Sequence, residues 1–229
     1  LATALRSFLR FLYNKGETER DFSPAVPTVR KWRQAEVPTF LSPEDIERVL
    51  SMTDCSKPRG RRDHAILLLL ARLGLRAGEV LRLELDDIHW REGEIVVRGK
   101  GGTLDRVPLP SDVGEALALY LRKDRSVRAS RRVFVRMIAP HVGFAGPAAI
   151  DCVVRTALAR AGIVRSSRGA AHIFRHSLAT RLIRQGASMA EISEVLRHRS
   201  QNTTAIYAKV AFETLRGVAR PWPGRGGAR

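Results

Sequence analysis

One stretch limits what this chain can fold into more than any other. Arg61 to Leu73 carries Ile66, Leu67, Leu68, Leu69, Leu70 and Leu73. On a helix these side chains leave almost no polar face, and such a helix has to be enclosed by other elements. The chain is therefore expected to be arranged around it, and 229 residues are enough for one or two domains with a proper core.

The enclosing elements are read from period and caps. Ser42-Pro43-Glu44-Asp45 combines an N-cap residue, a proline at the first helical position and acids in the first turn, with Ile46, Val49 and Leu50 as the buried face. Gly74 interrupts the apolar helix, Arg76 follows, and helical spacing resumes over Ala77 to Leu85. The period then changes. Ile88 to Trp90, Glu94 to Arg98 and Leu104 to Leu109 are short strands separated by Gly93 and by Gly99-Lys100-Gly101-Gly102. Ser111 is expected to cap a helix bearing Val113, Leu117 and Leu121, and Arg122 to Arg136 to be a basic, exposed segment. Pro147 to Ala161 is amphipathic and stopped by Gly162. A helix from near His172 to Gly186 precedes a capping box, Ser188 to Glu191, that opens another running to about Leu196. The fold class is mainly α (α+β): helices with one small three-stranded antiparallel sheet.

The two ends differ from this body. Residues 2–13 place Leu5, Phe8, Leu9 and Leu12 on one face, and Lys15 to Val37 has the glycine, proline and basic content of an extended linker. Residues 1–36 are thus expected to be the last helix of an earlier domain plus a linker, 37–220 the main domain, and 221–229 a flexible tail. Val210 to Val218 is a last amphipathic segment.

Charge narrows the partners. Lys plus Arg is 40 against 23 Asp plus Glu, a net +17. Lysine stands only at 15, 31, 57, 100, 123 and 209, so 34 of the basic residues are arginine. Arginine's planar fork suits phosphate, and this excess points to nucleic acid. The longest apolar run, Ala65 to Ala71, is far short of the ~20 residues a membrane span needs. Cys55 and Cys152 have no metal-ligand spacing and read as reduced thiols in the cytoplasm.

Ala171 to Tyr207 holds the chemistry. His172 and Arg175 are one turn apart in a first helical turn, where the helix dipole also favours an anion. Arginine can grip phosphate oxygens and histidine can exchange a proton near neutral pH. An isolated HxxR is more often a solvated face. Here Arg76 lies at a break between helices, Lys100 in a glycine-bracketed turn, His198 past a helix end, and Tyr207 in a polar segment unlike the setting of a core tyrosine. His176 is read as orienting or packing rather than catalytic, and Glu79 as the anchor of the Arg76 loop.

The order Arg76 in GLRAGE, Lys100 in GKGGT, His172 and Arg175 in HIFRH, His198 in LRHRS and Tyr207 in TTAIY resembles the tyrosine recombinase (phage integrase) family. The resemblance covers about Val37 to Val218. It implies the catalytic-domain fold of that family and a site-specific recombinase or integrase, often of a mobile element, cutting and rejoining double-stranded DNA. Tyr207 would be the nucleophile giving a 3′-phosphotyrosyl intermediate. Arg76 and Arg175 would hold the non-bridging oxygens and His198 would add a hydrogen bond. Lys100 would protonate the departing 5′-oxygen, and His172 would assist proton transfer around the tyrosine. No metal, ATP, other cofactor or small-molecule substrate is implied, nor any membrane. A homo-tetramer on DNA is implied, with Val210 to Val218 docking either in cis or on a neighbour. A non-catalytic DNA-binding relic and a topoisomerase are the competing readings.

The chain departs from the family pattern in two places. Arg197 stands where a glycine usually precedes the second histidine, and Gly102 to Asp105 lacks the basic residues that tend to follow the lysine. The short front implies a truncated N-terminal core-binding domain and half of the usual clamp on DNA. Residues 1–229 alone are therefore expected to bind DNA weakly and to cleave it slowly; a gel shift showing tight, site-specific binding would contradict this.

Overall fold

A computed structural model describes residues 2–27, 39–99, 101–125, 130–163, 169–197 and 207. The chain divides into two compact units, Leu1–Glu36 and Val37–Arg229. In the first, helix α1 (Ala2–Asn14) buries none of its side chains, and Leu5, Phe8, Phe11 and Tyr13 are exposed. Residues 15–27 do not run as an extended linker. Asp21 accepts from the Ser23 amide at 2.8 Å and hydroxyl at 2.9 Å, a short 3-10 turn forms at Ser23–Ala25, and Arg6 on α1 donates to the Val26 carbonyl at 3.0 Å. A carboxylate two residues before a proline-containing turn closes it locally.

The second unit is built around α3 (Pro58–Leu73). Ala65 through Ala71 are all buried, and Ile66, Leu67, Leu69 and Leu70 are sealed from solvent. The helix begins three residues before the apolar pattern, with Pro58 at its first position and Arg62 and Asp63 buried as a pair at 2.7 Å. Helices α2 (Pro43–Ser51), α4 (Ala77–Arg82), α5 (Ser111–Lys123), α6 (Pro147–Arg160) and α7 (His172–Arg184) all pack against it. The α2 cap is as read: the Ser42 hydroxyl accepts from the Asp45 amide at 3.1 Å. Ser111 does not cap α5; Pro110 holds that position with no side-chain bond, and Ser111 is already inside the helix.

Helix α4 ends at Arg82, earlier than the spacing implied, and a 3-10 turn, Leu85–Asp87, leads into the sheet. Strands β1 (Ile88–His89), β2 (Glu94–Arg98) and β3 (Leu104–Pro108) form an antiparallel sheet in that order, with Ile95 opposite Val107 and Arg98 opposite Leu104. Ile95 and Val97 alternate into the core, as the period of two requires. The stretch after α5 is not simply a basic surface. Val133, Phe134 and Val135 are buried, Phe134 stacks on Tyr120 with ring centroids 5.7 Å apart, and Arg125 donates to the carbonyls of Arg132 and Val133. Three apolar residues in the midst of arginines are enough to draw the segment inward. Helix α8 (Met189–Val195) carries the expected capping box, with Ser188 and Glu191 bonded reciprocally at 3.2 and 2.7 Å. Cys55 and Cys152 are free and exposed. Lys100, His198, Val210 to Val218 and the tail lie outside the described residues.

The enclosed position of α3 makes a stability prediction. Leu67→Ala should lower the unfolding free energy by about 2–5 kcal/mol, the usual cost of a large-to-small change in a core that cannot collapse. Leu104→Ala, at a side chain 64% exposed, should change it by no more than about 0.5 kcal/mol. Urea denaturation of the two variants checks both.

Candidate active site

The site forms where three helix ends meet. The first is the break after α3. Gly74 ends that helix in the left-handed region (φ 58°), and a Cβ there would stand 2.9 Å from Leu178 and 3.1 Å from Leu196. A glycine lets the chain reverse close against α7 and α8. Arg76 then occupies the N-cap of α4. Glu79, buried, accepts from the Arg76 amide at 2.8 Å and from its guanidinium at 2.6 Å. The anchoring role read for Glu79 is therefore seen in its hydrogen bonds.

The second end is the start of α7. Asp151 on α6 accepts from the Ala171 amide at 2.9 Å and so fixes the first turn. From that turn His172 projects, exposed, at the rim of a cavity of about 270 Å³ that is also lined by Arg76, Glu79, Arg82, Asp151 and Gly169. Partial desolvation, and then the cations Arg175 and Arg76, hold the His172 pKa below its ordinary value. One turn on, Arg175 is only 3% exposed. Its guanidinium donates to the Gly74 carbonyl at 2.6 Å and to the Leu196 carbonyl, tying the α3 break to the third end, the C-terminus of α8. Burial, with Arg76 and Arg197 adding repulsion against the pull of Glu79, brings the Arg175 pKa down to about 10.

Tyr207 is 1% exposed and packs with Leu178, Ala179, Ile192 and Leu196. Its polar sequence surroundings argue for a non-core tyrosine; the structure buries it. The hydroxyl oxygen lies 2.8 Å from Nδ1 of His176. Burial pushes the Tyr207 pKa up to about 12, with Arg175 and Arg76 pulling the other way. Burial also brings the His176 pKa down to about 4, reinforced by His172 and Arg175, so the ring is neutral at neutral pH.

Of the residues singled out from sequence, the structure gathers Arg76, His172, Arg175 and Tyr207 closely enough for their charges to act on one another. Two further side chains join them. His176 is the partner of Tyr207. Judged by its angle from Arg175 it points away, but it follows His172 by four residues and so shares that residue's face, a signal legible in the sequence. Arg197 donates to Glu79 at 3.2 Å, and nothing in the sequence pattern foretells this contact.

The depressed histidines fix the sign of an acid effect. As pH falls, the unfolded chain takes up a proton at His176 near 6.5, whereas the folded protein resists until about 4. Stability is thus complete above about pH 6.5 and is lost progressively as pH falls toward 4. The thermal midpoint should drop by several degrees across that window, and less in His176→Gln, which cannot titrate. Parallel melting curves of wild type and variant would expose the difference.

Comparison with known proteins places this geometry. The phage integrase family model matches residues 39–214. The Sinorhizobium fredii protein y4rA is 50% identical over 224 residues, covering 98% of this chain and 54% of that relative. The tyrosine recombinase XerC of Oceanobacillus iheyensis is 32% identical over 220 residues, covering 93% of this chain and 70% of the relative. The crystal structure of the XerH site-specific recombinase bound to palindromic difH substrate superimposes with a TM-score of 0.71 at 24% identity, over 86% of this chain and 56% of that one. The chain spans about half the length of the two Sinorhizobium fredii relatives it matches over nearly its whole extent. With the model match spanning most of the second unit, the chain belongs to the phage integrase family, the tyrosine recombinases.

Proposed function

We propose that the chain carries the catalytic domain of a site-specific DNA recombinase that cuts and rejoins duplex DNA through Tyr207. The observation that supports this most directly is the 2.8 Å contact between the Tyr207 hydroxyl and Nδ1 of His176, beside two arginines and at neutral charge on the histidine. A tyrosine whose pKa lies near 12 is a poor nucleophile unless its proton has somewhere to go. In this reading the Tyr207 oxygen attacks the phosphorus of a phosphodiester while its proton passes to His176. The bond to the 5′-oxygen breaks, and that oxygen leaves protonated by Lys100. His172, whose ring centroid is 6.2 Å from that of His176, assists the transfer.

Arg76 and Arg175 stabilise the charge that builds on the non-bridging oxygens, with a hydrogen bond from His198. The phosphotyrosyl bond keeps the energy of the phosphodiester, so a second strand's 5′-hydroxyl can reverse the step. Fixed guanidinium cations then supply the charge that this chemistry needs, without metal or ATP. Because Tyr207 is sealed from solvent, engagement of DNA has to open the site and bring hydroxyl and phosphate together. Four copies on paired duplexes would complete strand exchange.

Incubation with nicked suicide DNA is expected to give an SDS-resistant protein–DNA adduct that Tyr207→Phe abolishes. His176→Gln should slow its formation by roughly 100-fold at neutral pH, the scale of a lost proton acceptor. No adduct from the wild-type protein would favour a DNA-binding relic. An adduct with supercoil relaxation but no strand exchange would favour a topoisomerase.

A further inference from the structure

Arg197 is the one non-glycine residue among those described that has a positive φ, 54°. Glycine adopts that conformation freely and an L side chain resists it. Its side chain is only 8% exposed. One terminal nitrogen donates to the Val195 carbonyl at 3.3 Å and the other to Glu79 at 3.2 Å, while Nε is buried with no partner. Glu79 is the carboxylate that also takes the backbone and side chain of Arg76. The Arg197 carbonyl in turn faces the second terminal nitrogen of Arg76 at 3.5 Å.

The charges make this more than a structural tie. Arg76 and Glu79, paired at 2.6 Å in a partly desolvated site, cancel one another. A phosphate approaching Arg76 would meet a neutral pair and would have to compete with a carboxylate already in contact. Adding Arg197 to the same carboxylate divides the grip of Glu79 between two cations and leaves the group with one net positive charge. Arg197 does not line the cavity that Arg76 and His172 share, so its effect on an anion there runs through Glu79 rather than by contact.

We propose that Arg197 is a positioning residue that offsets Glu79 and so keeps Arg76 available to the scissile phosphate. This rests on the function proposed above. It differs from a purely structural role in one consequence: removing the carboxylate's charge should undo the damage of removing Arg197.

The test compares wild type, Arg197→Gly and the double variant Arg197→Gly/Glu79→Gln. Glycine suits the backbone at 197, and glutamine can still accept the Arg76 amide, so both variants should melt close to wild type. Adduct formation on nicked DNA at saturating concentration should fall about 10- to 100-fold in Arg197→Gly, and recover most of that loss in the double variant. The salt dependence of DNA binding should not change. A wild-type rate in Arg197→Gly, or a double variant as slow as the single one, overturns the proposal. So does a salt slope lower by about one, which would make Arg197 a direct phosphate contact.

A second readout needs no DNA. Inorganic phosphate should raise the melting temperature of wild type, raise that of Arg197→Gly less, and regain its effect in the double variant. An equal response in wild type and Arg197→Gly, or none in either, overturns the proposal even if the wild-type protein forms no adduct, an outcome that would separately sink the proposed function.

Discussion

The guanidinium of Arg175 is where the domain and its site become the same object. It sits 3% exposed and bonds to the carbonyls of Gly74 and Leu196. Those carbonyls belong to helix ends, where the last C=O groups lack partners within the helix. One side chain on α7 therefore closes the ends of α3 and α8 at once. An uncompensated cation at that depth would be strongly unfavourable, and its lowered pKa reports the strain. The arrangement is tolerable because two carbonyl dipoles and the Glu79 carboxylate face it. The same interaction that fixes the helix ends thus leaves them electrostatically incomplete.

That incompleteness spreads to the neighbours. Arg76 and Arg197 share one carboxylate, Glu79, and Arg175 feels the attraction of that carboxylate and the repulsion of both arginines. The neighbouring histidines are held in the neutral form first by burial and then by repulsion from nearby cations. The preference of His176 for the neutral form comes first from its burial, with His172 and Arg175 adding to it. Tyr207 feels the opposite balance: burial raises its pKa while the arginines lower it. For the tyrosine burial wins, and the arginines only moderate the rise.

How much of this could be read beforehand depends on whether a local rule applied. The capping box at Ser188, the cap at Ser42, the stop at Gly162 and the period-two sheet all follow from short-range chemistry, and the structure shows them. The enclosed helix α3 followed from an apolar circumference. Where reading failed, the deciding contacts span long stretches of chain. Tyr207 reads as a polar-segment residue because its neighbours are Gln201, Asn202, Thr203 and Thr204. Its pocket comes instead from α7 and α8. Val133 to Val135 read as surface because arginines flank them, yet the ring of Tyr120 was waiting on α5. The bond of Arg197 to Glu79 crosses 118 residues. Arg76, His172, Arg175 and Tyr207 could be singled out because their types and order carry a chemical meaning; their mutual geometry could not.

The excess of positive charge takes on a different meaning once the acids are located. Asp124 holds Arg61, Glu47 and Asp112 hold Arg72, Asp87 holds Arg98, and Asp86 holds Arg131. Carboxylates are committed to arginines within the fold, at contacts of hydrogen-bond length. Such pairs steady individual arginines but contribute little to an external field, since paired charges nearly cancel beyond a Debye length. What a distant polyanion sees is the surplus of 40 basic over 23 acidic residues, and it sees it salt-dependently. Overall charge and local site then do separate jobs. In the proposed function the surplus would act at long range on any nucleic acid, whereas the cluster around Glu79 would act at short range on a single phosphate.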